Sequence, residues 1–207
     1  MEAIAGRTRA ARTRLGLTDA ARHFMKRVVV TGSECTGKTT LAGDLARQFG
    51  TIWVPEYARE YLDRKVATTG LPLDESDVEP IARGQIAAED RGTAVANGLL
   101  VLDTDLVSTT VYARHYYGAC PAWIDQAARD RRADLYLLCD IDVPWVADPA
   151  RDRPHHREHM HALFVEALDA LGTPYVTIRG PWADRLATAI AAASTLVQSS
   201  EDGDDRH

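Results

Sequence analysis

The chain has 207 residues, 45% of them apolar and 26% charged, with a net charge of −6. That composition suits one soluble domain with a sizeable core. It excludes a wholly disordered chain, a membrane-spanning one, and a general nucleic-acid binder, which would need clustered basic groups.

Residues 1–24 carry five arginines against Glu2 and Asp19, a local net of +3 that leaves −9 for the rest. They lack an apolar signal region and read as a dispensable extension ahead of Met25, with a lone amphipathic helix or a presequence as the alternatives. Val28-Val29-Val30 is an unbroken apolar strand, as expected where both faces are covered. A glycine-rich segment follows, then a helix from Lys38 with Leu41, Leu45 and Phe49 on one face. Ile52-Trp53-Val54 is a short strand ended by Pro55. Val78, Ile81, Ala82 and Ile86 mark another helix, and Leu99-Leu100-Val101-Leu102 the next strand. Leu135 to Cys139 repeats the strand pattern, and residues 143–154, rich in Pro, Arg and Asp, read as a loop. Helical periods (Met160, Phe164, Leu168; then Trp182, Leu186, Ala189, Ala193) flank the strand Tyr175 to Ile178. Strands alternating with helices predict an α/β domain with a parallel sheet over residues 25–198, and residues 199–207 read as a polar, acidic, disordered tail. Cys35, Cys120 and Cys139 form no CxxC pair, which predicts a reducing cytoplasmic setting rather than a disulfide scaffold.

The strongest chemical signal is Gly32-Ser33-Glu34-Cys35-Thr36-Gly37-Lys38-Thr39, which fits G-x-x-x-x-G-K-[ST] between a strand and a helix. Its glycines let backbone N–H groups form an anion nest, and the helix N-terminus adds partial positive charge. Residues 32–40 (Thr40 included) are thus the expected ATP-binding segment, with Lys38 on the phosphates and the Thr39 hydroxyl on Mg²⁺. Lys38 is one of only three lysines; Lys26 and Lys65 read as replaceable. Asp103, where the third apolar run ends, is the expected metal carboxylate. Asp105 is either a second candidate or the cap of the next helix. Glu56, just after the second strand, could orient or deprotonate an acceptor hydroxyl or simply favour a helix start. Tyr57 and Tyr61 could pack or stack on a base. Arginines of the 143–154 loop could neutralise charge in phosphoryl transfer or simply belong to a solvated charged loop.

Together, V-V-V-T-G-S-E-C-T-G-K-T-T-L, P-E-Y-A-R-E-Y, L-D-T-D and P-W-V-A-D-x-x-R resemble the ribosylnicotinamide kinase domain of the NadR family over about residues 26–195. The resemblance implies a three-layer P-loop NTPase/kinase fold with a five-stranded parallel sheet. It implies transfer of the ATP γ-phosphate to the ribose 5′-hydroxyl of nicotinamide riboside, giving nicotinamide mononucleotide. It implies Lys38 and Arg151 on the transferred charge, Thr39 and Asp103 on Mg²⁺, and Glu56 as base or ribose ligand. The substrate side would also draw on Tyr57, Arg59, Asp105 and Trp145, with Trp145 and either Tyr57 or Tyr61 stacking on nicotinamide. No H-x-G-H-type adenylyltransferase motif is present, so the chain is expected to make the mononucleotide without completing NAD, and not to be a DNA-binding repressor. The alternatives are a P-loop kinase for another nucleoside or small alcohol, and an ATP-dependent regulatory ATPase.

Overall fold

The computed structural model describes residues 25–144 and 157–204. Five parallel strands make its middle layer in the order β2-β3-β1-β4-β5. They are β1 (Lys26–Thr31), β2 (Trp53–Val54), β3 (Leu99–Asp103), β4 (Leu135–Cys139) and β5 (Tyr175–Ile178). The central β1 runs beside β3 and β4, with Val30 opposite both Asp103 and Leu137. The turn leaving β1 therefore emerges next to the carboxylate that ends β3.

Val28, Val29 and Val30 are fully buried because consecutive side chains point to opposite, equally covered faces. Val28, Val30, Val101 and Leu137 pack on Leu41 and Leu45 of α1 (Lys38–Gln48) and on Ala189 and Ala193 of α7 (Trp182–Asp204). On the other face, Val29, Leu100, Leu102 and Leu138 share a core with Ala82 of α3 (Val78–Thr93), Val107 of α4 (Leu106–Tyr117), Ile124 of α5 (Ala122–Asp130) and Phe164 of α6 (Arg157–Leu171). Each fully buried Leu, Val or Phe contributes about 1.5–3 kcal/mol relative to an exposed one. The expected three-layer P-loop architecture with a five-stranded parallel sheet is what the chain adopts.

Two elements differ from expectation. Helix α2 (Tyr57–Thr69) is not among the expected helices, and its inner face, Tyr57, Ala58, Tyr61, Leu62 and Lys65, is only partly buried. Helix α7 keeps helical backbone through Asp204, past the tail boundary expected at Ser199.

Candidate active site

The phosphate side starts at Gly32, whose φ of 125° belongs to glycine and whose position allows no side chain. A Cβ there would lie 2.8 Å from the Cys139 carbonyl oxygen, so the loop leaves β1 pressed against the end of β4. Cys35 (φ 56°) and Gly37 (φ 82°) complete the reversals that bring the segment back to the start of α1. Gly37 caps that helix without any side-chain hydrogen bond, leaving its first-turn amides and partial positive charge for an anion. The Ser33 carbonyl accepts hydrogen bonds from Lys38 Nζ (2.8 Å) and Thr36 Oγ1 (2.9 Å). The ammonium is thus folded over its own loop, on the side where phosphates would enter.

The Thr39 hydroxyl donates to Asp103 Oδ2 at 2.6 Å, joining the start of α1 to the end of β3. Asp103 is 1% exposed. A hydroxyl and a carboxylate are hard oxygen donors of the kind Mg²⁺ prefers while keeping several waters, so this pair fits the cation expected there.

Arg185 is a structural tie. It is 1% exposed and donates to the carbonyls of Thr36 (3.2 Å), Gly180 (3.0 Å) and Asp140 (3.2 Å), and it pairs with Asp142. Asp142 also accepts from the Gly180 N–H at 2.6 Å. One guanidinium thereby fixes the phosphate loop, the end of β4 and the start of α7 together. Trp182, read from periodicity as part of the α7 core face, instead is 39% exposed, its ring 3.1 Å from where a Cβ on Gly37 would stand.

The acceptor side lies past β2. Glu56 is half-buried and stands at the N-cap of α2 without a side-chain capping hydrogen bond, a place where the helix dipole favours a carboxylate and from which it can also face an acceptor. Tyr57 donates its backbone N–H to Gln85 Oε1 (3.1 Å), and its hydroxyl accepts from Arg64 (2.7 Å). Tyr61 stands 6.4 Å from the Tyr57 ring and donates to Asp77 at 2.9 Å. Arg59 is exposed and paired with Asp63 one turn on, along the outer surface of α2. Lys65 is less replaceable than it reads: its ammonium holds Asp74 (2.7 Å) and Asp77 (2.5 Å) together beneath α2. With Ser76 joining Lys65, Asp74 has its carboxyl lowered to about 2.

Of the two readings of Asp105, the structure takes the cap. Its Oδ1 accepts the Val107 N–H (3.0 Å) and its Oδ2 the Tyr136 hydroxyl (2.7 Å), in a pocket where it is 4% exposed. Both oxygens are spent inside the fold, so the expected substrate contact through Asp105 gives way to helix capping. Burial, then the nearby charge of Glu89, push this carboxyl up to about 6 against the Tyr136 hydrogen bond. Trp145 and Arg151 lie outside the described residues, as do residues 1–24. Gln85 and Trp182 are what sequence reasoning missed: a lone Gln within an amphipathic helix gives no signal, while a Trp directly after Gly180-Pro181 offers a faint one.

Comparison with known proteins agrees with this geometry. A family described as AAA domain matches residues 27–185. The trifunctional NAD biosynthesis/regulator protein NadR of Escherichia coli is 30% identical over 163 residues, a match covering 78% of this chain. The chain spans about 40% of that relative's length. A NadR crystal structure in complex with NR is 28% identical with a TM-score of 0.69, covering 84% of this chain and 51% of that one. A second, in complex with NAD and AMP-PNP, is 28% identical with a TM-score of 0.71, covering 86% and 51%. No helix among the described residues is long and apolar enough to cross a membrane.

Proposed function

The chain belongs to the AAA-domain family, and from that premise we propose that it is an ATP-dependent kinase that phosphorylates the ribose 5′-hydroxyl of nicotinamide riboside. The observation that carries the reading is a juxtaposition at one sheet edge. The Lys38 loop and the Thr39–Asp103 pair stand at the ends of β1 and β3, and Glu56 follows the neighbouring β2. Nucleotide and acceptor would then meet outside the carboxyl ends of the strands, where open α/β sheets bind ligands. NadR structures of the same fold, solved with NR and with AMP-PNP, support the choice of acceptor and donor.

In this reading the amides of residues 32–40 hold the β- and γ-phosphates, and Lys38 Nζ moves from the Ser33 carbonyl onto the γ-phosphoryl group. Mg²⁺, when bound, neutralises phosphate charge; Thr39 and Asp103 would hold it, directly or through water. Glu56 orients the 5′-hydroxyl and accepts its proton as the oxygen–phosphorus bond forms and the bond to ADP breaks. Tyr57 and Tyr61 wall the acceptor, while Trp145 and Arg151 keep the roles the resemblance implies: stacking on nicotinamide and stabilising transferred charge.

The test is incubation with Mg-ATP and a panel of nucleosides and small alcohols, with products identified by mass spectrometry. Nicotinamide mononucleotide should be the dominant product. Rapid phosphorylation of another nucleoside with none of nicotinamide riboside would replace the acceptor. ATP hydrolysis indifferent to any acceptor would replace the kinase reading with that of a regulatory ATPase.

A further inference from the structure

Gln85 lies on α3 and is 3% exposed, yet neither phosphate chemistry nor core packing calls for a polar side chain there. Its amide is used at both ends. Oε1 accepts the Tyr57 N–H at 3.1 Å; Nε2 donates to Glu89 Oε1 at 3.2 Å and to the Thr104 carbonyl at 3.4 Å. The assignment is forced, because the acceptor must face an N–H and the donors must face a carboxylate and a carbonyl.

The two backbone groups it holds matter. Tyr57 is the first residue of α2, directly after Glu56, and its N–H is one of the groups a helix start leaves without an intrahelical partner. Thr104 directly follows Asp103 and has a φ of 67°, a conformation rare for a β-branched residue and sustained only when its surroundings impose it. The Thr104 N–H is tied to the Val30 carbonyl (3.0 Å), so Gln85 secures the other side of the same peptide unit pair. Glu89, which anchors the amide, is itself fixed: its second oxygen takes Arg27 (2.6 Å) and Arg131 (3.2 Å). Next door, Gly84 is closed to any side chain, since a Cβ would fall 1.8 Å from the Tyr57 ring. Helices α2 and α3 are therefore docked at van der Waals contact where Gln85 joins them.

We propose that Gln85 is a positioning residue, one buried amide that holds the acceptor-side backbone at Tyr57 and the metal-side backbone at Thr104 in fixed relation. It rests on the kinase reading for what is positioned: Glu56 on one side, Asp103 on the other. An apolar residue of equal length would fill the space and lose the coupling.

The experiment compares wild type with Gln85→Met and Gln85→Glu, each checked by thermal melting. Amide hydrogen exchange is followed at Tyr57 and over residues 104–107, with 33–40 as control, and the KM values of Mg-ATP and nicotinamide riboside are measured separately. Gln85→Met loses both contacts, so it should speed exchange about 10-fold at Tyr57 and over 104–107 with 33–40 unchanged, and lower kcat/KM for the riboside about 30-fold. Gln85→Glu keeps the acceptor for Tyr57 but loses the donor to Thr104, so its faster exchange is confined to 104–107. Lowering the pH should return its activity toward the wild-type value at the same pH, as its carboxyl regains a proton among Glu89 on α3, Asp105 at the start of α4, Arg27 on β1 and Arg131 after α5. Unchanged exchange at either place in folded Gln85→Met, or exchange speeded equally over 33–40, would overturn the proposal. If Gln85→Met does not fold, the Gln85→Glu exchange pattern decides alone. If wild type leaves nicotinamide riboside unphosphorylated, the acceptor reading fails while the exchange measurements still decide the role of Gln85.

Discussion

From Gly32 to Thr40 the phosphate side is one unbroken segment, shaped by left-handed backbone at Gly32, Cys35 and Gly37 and tied from outside by Arg185 and Asp103. The acceptor side is assembled from pieces: Glu56 and Tyr57 at the start of α2, and Gly84 and Gln85 on α3, with Gln85 reaching across to Thr104 on the metal side. The first is a nest of backbone amides and needs few particular side chains. The second depends on side chains meeting across helices, and its outer helix buries nothing of its own. Phosphate binding should therefore tolerate damage on the acceptor side, and damage confined to the phosphate loop should leave acceptor binding in place.

The largest effect tests that asymmetry at its strongest point. Lys38→Ala removes the cation that meets developing charge and should lower kcat by about 10³-fold with little change in melting temperature. Steady-state turnover with Mg-ATP and the riboside measures it, and retained activity would remove the phosphate side from the argument. Next, Glu56→Gln should lower kcat about 10²-fold while binding of a fluorescent ATP analogue stays within about two-fold of wild type. Loss of nucleotide binding in that variant would show that the two sides are not separable.

Arg185→Met sits between them. It strands the Thr36, Gly180 and Asp140 carbonyls that one buried guanidinium now satisfies. The expected result is an Mg-ATP KM raised about 10-fold, an unchanged riboside KM and a stability loss of about 2–4 kcal/mol in urea unfolding. Equal shifts of both KM values would mean that α7 supports the whole sheet edge rather than the phosphate loop.

The same contrast explains what could be read from the sequence. A contiguous motif between a strand and a helix needs only local geometry, so Gly32 through Thr39 and the strand-end Asp103 were legible, as was the parallel sheet. Helix α2 was less so, because its short apolar face, Tyr57, Ala58, Tyr61 and Leu62, is built half from tyrosines that could equally line a site and is only partly buried. Trp182 was misread for a related reason: its spacing matches the core face of α7, but it starts the helix, where the chain has only just reached the sheet edge. Arg185 and Gln85 gain their roles from partners up to 149 residues away, across a fold whose contacts no local pattern encodes.

Asp105 gives the smallest effect and the sharpest boundary between the two sides, because it lies two residues from Asp103 and yet faces inward. Its folded carboxyl takes up a proton at about 6, whereas its ordinary value is 3.8. Between those values the folded state binds more protons than the unfolded one, so this group's contribution to stability falls as pH rises through the interval, and the full penalty is present above it. Asp105→Asn removes the charge and keeps the cap, since Asn accepts a helix-start N–H as well as Asp does. The Tyr136 hydroxyl must then turn its proton elsewhere, which returns about 1 kcal/mol of the gain. The variant should be about as stable as wild type near pH 4 and about 1–2 kcal/mol more stable at pH 7, measured by urea unfolding across that range. A difference that stays constant with pH would mean that Asp105 is not the buried acid described. A raised riboside KM in the variant would move Asp105 back to the acceptor side, and the line between capping and binding would have to be redrawn through β3.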